Sequence, residues 1–298
     1  KVVPGLPVLS FWHWIIAIFI VAAVHEFFHG VFSRVYNTKV KSSGIALFGP
    51  ILGAFVEPDE KELSKKSKTA QLSVFAAGPF SNMLLGILFL LIFNFAAMPL
   101  YNEVYMADGI IVNDVMENYP AAQLGLETPF IIKGINNNQT LNLTSFIDQT
   151  KNILPGDKLT LNTDKGDVGV TTVENPDNKS RAFIGIAGLE LNKKVRSEIT
   201  EKYGAFIPQA FTWVHMLIFW LVIVNFGVGL FNLLPLGPVD GGRMFLTGML
   251  ALFSEKKAKQ IWTFATFICI ALIVINLAPY LWKLIVFIFK PLLLVLGM

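Results

Sequence analysis

The sequence predicts an α-helical polytopic membrane protein: about 4–5 membrane helices and a membrane-associated β-hairpin, with a small α+β domain inserted between the second and third helices. Three observations carry that expectation. The 298 residues are 54% hydrophobic and 15% charged, with a mean hydropathy of +0.58, whereas soluble domains carry about 25% charged residues. Long apolar runs stand at Phe11 to Val35, Leu72 to Leu100, Phe211 to Leu236 and Ile261 to Ala278, and about 20 apolar residues at 1.5 Å each cross a hydrocarbon core of about 30 Å. Between the second and third runs, Tyr101 to Ala210 changes character, being rich in Asn, Asp, Thr and Gly with short β-branched segments. Disorder and a disulfide-rich scaffold are excluded by the same composition. The net charge of +3 is too small to suggest nucleic acid as a partner, and one cysteine, Cys269, rules out an internal disulfide or a four-cysteine metal site. Any metal must therefore rest on the four histidines and the carboxylates.

The expected domains are 1–100, a first part of the membrane core; 101–210, the inserted domain; and 211–298, a second part of the core. A fifth apolar run, Tyr280 to Met298, is interrupted by Lys283, Lys290 and Pro291, and suits a crossing, an interfacial or a re-entrant helix. No leader with a basic, an apolar and a small-residue part precedes the first run, as expected of a processed or truncated chain beginning at Lys1. Within the insert, Gly109–Val115, Phe130–Ile132, Lys158–Leu161 and Val168–Val173 read as strands and Leu143–Ile153 as a helix.

Basic residues set the orientation. Arg34, Lys39, Lys41, Lys61, Lys65, Lys66 and Lys68 follow the first run, and Arg243, Lys256, Lys257 and Lys259 follow the third. Both loops belong in the cytoplasm by the positive-inside rule, which leaves the insert extracytoplasmic. The sequons at Asn138, Asn142 and Asn178 agree. Between the first two runs, Gly44 to Val56 holds two β-type segments punctuated by Gly and Pro, which suggests a hairpin. Such a hairpin either lines a site at membrane depth, where non-helical backbone needs protein or water beside it, or lies peripherally in the cytoplasm.

Inside the first run stands His25-Glu26-Phe27-Phe28-His29. Helical residues four apart share a face, so the two imidazoles can grip one metal ion while Glu26 addresses a water on it. His25 lies about 21 Å beyond Phe11 at 1.5 Å per residue, inside the bilayer near its cytoplasmic side, where ionisable groups are costly unless they are paired or functional. A buried polar cluster that fastens helices would use the same residues differently, without need of a base. A catalytic zinc takes three protein ligands. His13 and His215 sit at the outer ends of their helices, and His13 lies in an aromatic belt with Trp12 and Trp14. Asp240 instead follows the cytoplasmic end of the third run, where Pro235, Gly237 and Pro238 break the helix and turn the chain back. It is the leading third ligand.

With these motifs the chain resembles the site-2 proteases, intramembrane zinc metalloproteases whose signatures are HExxH in one membrane helix and NxxPxxxxDG in a later one. The first is His25 to His29, and the second is Asn232, Pro235, Asp240 and Gly241; the family's Gly-Pro-x-x-Asn is Gly78-Pro79-Phe80-Ser81-Asn82. The resemblance implies one zinc per chain on His25, His29 and Asp240, with Glu26 as catalytic base. It also implies a membrane-associated hairpin that meets substrate, with Gly49, Pro50, Gly53, Ala54 and Phe55 as the contacting positions. Asn82 and Asn232 are the neutral donors in the right segments for an oxyanion. The partners implied are membrane-spanning protein substrates and the bilayer.

The insert is similar to the circularly permuted PDZ domains that some family members carry. Asp108–Val115 and Tyr119–Leu126 match the first strand and helical turn, Ile131–Asn137 and Leu154–Asp157 the next strand and turn, and Ala182–Ile186 the last strand. A PDZ groove takes a peptide as an added strand, so a peptide ligand is expected there. Two alternatives come from other classes: a catalytically silent membrane scaffold presenting the PDZ-like domain, and a metal-ion transporter. The scaffold has no use for Glu26, and a transporter would spread its acids and histidines over several helices.

Overall fold

The computed structural model describes residues 9–49 and 51–295. It separates into two compact units, 1–97 with 213–298, and 98–212. Four helices among the described residues are long and apolar enough to cross a membrane.

The first unit opens with helix α1 (Phe11–Val35), whose N-cap Ser10 accepts from the His13 amide. The hairpin expected after it is present as β1 (Val40–Phe48) and β2 (Ile51–Pro58), paired antiparallel from Phe48–Ile51 back to Val40–Pro58. A short helix, α2 (Glu60–Leu63), is capped by Asp59, which accepts from the amides of Lys61 and Glu62. Those backbone bonds, the one from Glu62 foremost, together with the Lys41 ammonium, hold the Asp59 carboxyl below its usual range. Helix α3 (Lys68–Ile92) carries Pro79 in its interior, and a π-helical turn, Phe93–Ala97, follows. Pro79 has no amide to give the carbonyl four residues earlier, so it loosens the preceding turn and frees backbone groups there.

The second unit begins with α4 (Met98–Val104). Its main sheet is formed by β3 (Tyr105–Val115), β4 (Phe130–Ile135), β5 (Asn138–Gln139), β6 (Lys158–Thr163), β7 (Gly166–Thr171) and β10 (Ile186–Val195), in the order β10-β3-β4-β6-β7 with β5 on β4. Helix α5 (Leu143–Thr150) falls between β5 and β6 and starts with a capping box of Asn142 and Ser145. Two short strands, β8 (Val173–Glu174) and β9 (Ala182–Phe183), pair with each other. Alternation puts Val112, Phe130, Ile132, Leu159, Leu161 and Val170 into one core, with Phe146, Ile153, Ile184 and Ile186 packed on it. Phe130 is 1% exposed. Phe130→Ala is expected to weaken this unit by about 3–5 kcal/mol, read as lost hydrogen-exchange protection of the β4 amides in the full chain.

After α6 (Ser197–Tyr203), helix α7 (Phe206–Asn232) returns to the first unit at Trp213. Helix α8 (Asp240–Leu252) follows a tight turn, and α9 (Glu255–Val295) closes the described chain. The described part of the fifth apolar run continues α9 without a break, Lys283 and Lys290 interrupting its hydropathy but not the helix.

Candidate metal centre

Three residues from two ends of the sequence meet in the first unit. His25 and His29, one turn apart on α1, stand with their Nε2 atoms 3.1 Å from each other. Asp240, first residue of α8, brings Oδ2 to 3.0 Å from His25 Nε2 and 3.2 Å from His29 Nε2. Both histidines are buried. The turn before α8 explains how Asp240 arrives. Gly241 and Gly242 lie so close to it that a Cβ on Gly241 would fall 2.4 Å from the Leu233 carbonyl carbon, and one on Gly242 1.8 Å from the Leu236 oxygen. Without side chains there, residues 233–239 fold flat against the head of the helix and aim its first carboxylate at α1.

Helix α3 supplies the other wall. His29 Nδ1 donates to the Val74 carbonyl at 2.7 Å, which leaves the lone pair of its Nε2 facing the trio. Four residues on, a Cβ at Gly78 would lie 2.4 Å from His29 Nε2 and 2.5 Å from His25 Nε2. That gap is too narrow for carbon yet faces both Nε2 atoms. Zinc binds imidazole nitrogen at about 2.0–2.1 Å, and two such nitrogens on a tetrahedral ion stand about 3.3 Å apart. Two nitrogens and a carboxylate oxygen with this separation fit zinc.

Glu26 points beside the trio and accepts from the Val56 amide at 2.9 Å. The amide of a strand residue that bonds outward is one not used by the partner strand. By the two-residue period, Leu52 and Ala54 present their backbone groups to the same outer edge of β2. Glu26, His29, Val56, Phe75, Asp240 and Arg243 line one cavity of about 220 Å³. At its rim Arg243 Nη2 meets Glu60 Oε1 at 3.1 Å, and the guanidinium lies over the Phe75 ring.

The other sequence candidates lie elsewhere. Asn82 faces His25 on its Nδ1 side, 2.9 Å away, so the ring stands between its amide and the trio. Asn232 donates to the Val228 carbonyl of its own helix. Neither amide is aimed at the cavity, since each serves a nearer acceptor or ring. His13 is bound to Ser10 Oγ and to the Trp213 carbonyl, and His215 stacks beside Phe93. On the hairpin, Gly53, Ala54 and Phe55 belong to β2 and Gly49 to its turn, while Pro50 lies outside the described residues. Four contributors carried no signal of their own in the sequence: the Val74 carbonyl and the Val56 amide, which are backbone atoms, and Glu60 and Phe75, which only the packing brings to the rim.

The model of peptidase family M50 matches residues 13–276. The chain belongs to peptidase family M50. The match takes in α1, the hairpin, the insert and the Asp240 turn, so every residue of the trio falls inside it. Among curated relatives, an uncharacterised protein of Methanocaldococcus jannaschii is 31% identical over 242 residues, 80% of this chain and 56% of that one. The zinc metalloprotease RasP of Shouchella clausii is 21% identical over 231 residues, 64% of this chain and 53% of that one. The chain thus spans about half the length of the curated relatives it matches. Among solved structures, the PDZ domain of an SdrC-like protein from Listeria monocytogenes is 22% identical, covering 31% of this chain and 92% of that one with a TM-score of 0.24.

Proposed function

We propose that the protein is an intramembrane zinc endopeptidase that cuts membrane-spanning segments of anchored proteins. The observation that carries this reading is the convergence of His25, His29 and Asp240 in a helical bundle, with Glu26 in the cavity that His29 and Asp240 also line. Zinc held there would polarise the scissile carbonyl and acidify the attacking water. Glu26 takes the proton of that water and passes it to the leaving amine nitrogen, as base and then acid. The Val56 amide holds one carboxylate oxygen, which orients the other.

A membrane helix hides its peptide bonds, so a substrate has to be held locally extended. The outer edge of β2 offers a template for strand pairing, and it borders the cavity. Orientation follows the basic loops: the metal centre towards the cytoplasm, the insert outside. For the insert, the proposed role is peptide binding in the PDZ manner. A cavity of about 220 Å³ between α5 and the end of β9 supports it, with Phe146, Thr150, Ile153, Phe183, Ile184 and Ile186 in its lining.

The test needs no substrate. Detergent-purified protein is expected to hold about one zinc per chain by elemental analysis, and Asp240→Ala markedly less at unchanged helicity. Zinc absent from the wild type, or indifferent to Asp240, overturns the reading and favours a membrane scaffold.

A further inference from the structure

We infer that Asn82 is a positioning residue: its side-chain oxygen accepts the Nδ1 proton of His25 and so turns the Nε2 lone pair towards the metal position. This rests on the zinc-centre reading above. Asn82 is fully buried on α3, with Nδ2 placed 2.9 Å from His25 Nδ1 and Oδ1 left with no hydrogen-bond partner among the described residues. Amide oxygen and nitrogen are nearly isosteric, so a half-turn about the last side-chain bond exchanges them without moving any other atom.

The two orientations have different chemistry. With the nitrogen towards the ring, an N–H donates to Nδ1, and the His25 proton must sit on Nε2, against His29 and Asp240. No lone pair is then free for a metal, and a buried carbonyl oxygen stays without a donor. With the oxygen towards the ring, Nδ1–H donates, Nε2 becomes a ligand, and the amide nitrogen is released. Asn94, Asn225, Asn232 and Asn276 each send theirs to the carbonyl four residues back in the same helix; for Asn82 that carbonyl is Gly78, which also accepts from Ser81 Oγ at 2.7 Å.

Helix α3 then treats the two histidines alike. Val74, Gly78 and Asn82 recur every four residues on one face. Val74 accepts from His29 Nδ1 and Gly78 leaves the gap beside the Nε2 atoms, and Asn82, with its oxygen turned to the ring as inferred, accepts from His25 Nδ1. Metal-bound histidines generally give their other ring proton to such an acceptor, and losing it costs about 10–100-fold in metal affinity.

Aspartate separates acceptor from donor, because an ionised carboxylate only accepts. Zinc affinity would be measured by chelator competition on the purified full chain, for the wild type, Asn82→Asp and Asn82→Leu. Asn82→Leu is expected to weaken zinc about 10–100-fold, and Asn82→Asp to stay within a few-fold of the wild type. Loss in both variants makes Asn82 a donor and overturns the inference; so does unchanged affinity in Asn82→Leu with only a lowered melting temperature. The imidazole nitrogen shifts of ¹⁵N-histidine-labelled metal-free protein provide a readout independent of zinc. His25 protonated at Nδ1 supports the inference even if the zinc-centre reading fails, and His25 protonated at Nε2 overturns it.

Discussion

Gly78→Ala is expected to abolish zinc binding while leaving the helices intact. The added methyl would sit 2.4–2.5 Å from both Nε2 atoms, well inside carbon–nitrogen contact. One of the imidazoles must swing away, and α1 has no room to carry both back, because His29 is tied through Nδ1 to the α3 backbone. In a helix interior, Ala is favoured over Gly by about 1 kcal/mol, so the propensity term is stabilising. The signature is therefore a protein with undiminished helical circular dichroism and no zinc by elemental analysis. An alanine variant that held one zinc per chain would show that the gap between the histidines is not where the ion rests.

Glu26→Gln should separate chemistry from binding. Gln keeps an oxygen for the Val56 amide and lies outside the ligand trio, so hairpin position and zinc content are expected to be unchanged. What goes is the ability to take a proton from water. General acid–base groups typically contribute about 10²–10⁴ in rate, so cleavage of a single-spanning reporter with a Gly-Pro pair in its apolar segment should fall at least about 100-fold. Equal cleavage by variant and wild type would remove Glu26 from the mechanism.

How much of this could be read beforehand depended on how locally each feature is encoded. His25, Glu26 and His29 share little more than one turn, so their common face follows from helical period alone. Asp240 was legible for another reason: Pro235, Gly237 and Pro238 announce a chain reversal beside a lone acid. The hairpin showed through its Gly and Pro punctuation, and the insert through its change in composition. Strand β10 was missed beyond Ile186, since its polar residues Asn192, Lys193 and Lys194 obscure the alternation and its register is irregular between Leu191 and Lys193. Asn82 was identified but read as a donor to the reaction. Its true neighbour, His25, depends on how α1 packs along α3, and no local period encodes that. The pairing of Arg243 with Glu60 was hidden for the same reason.

The turn before α8 has one further consequence. Because Gly241 and Gly242 leave no gap against residues 233–237, that segment and the head of α8 behave as one solid piece. Asp240 has no lever arm of its own. Its reach towards α1 is decided by the seating of whole helices, and the accuracy of the donor trio is a property of the bundle more than of any side-chain rotamer.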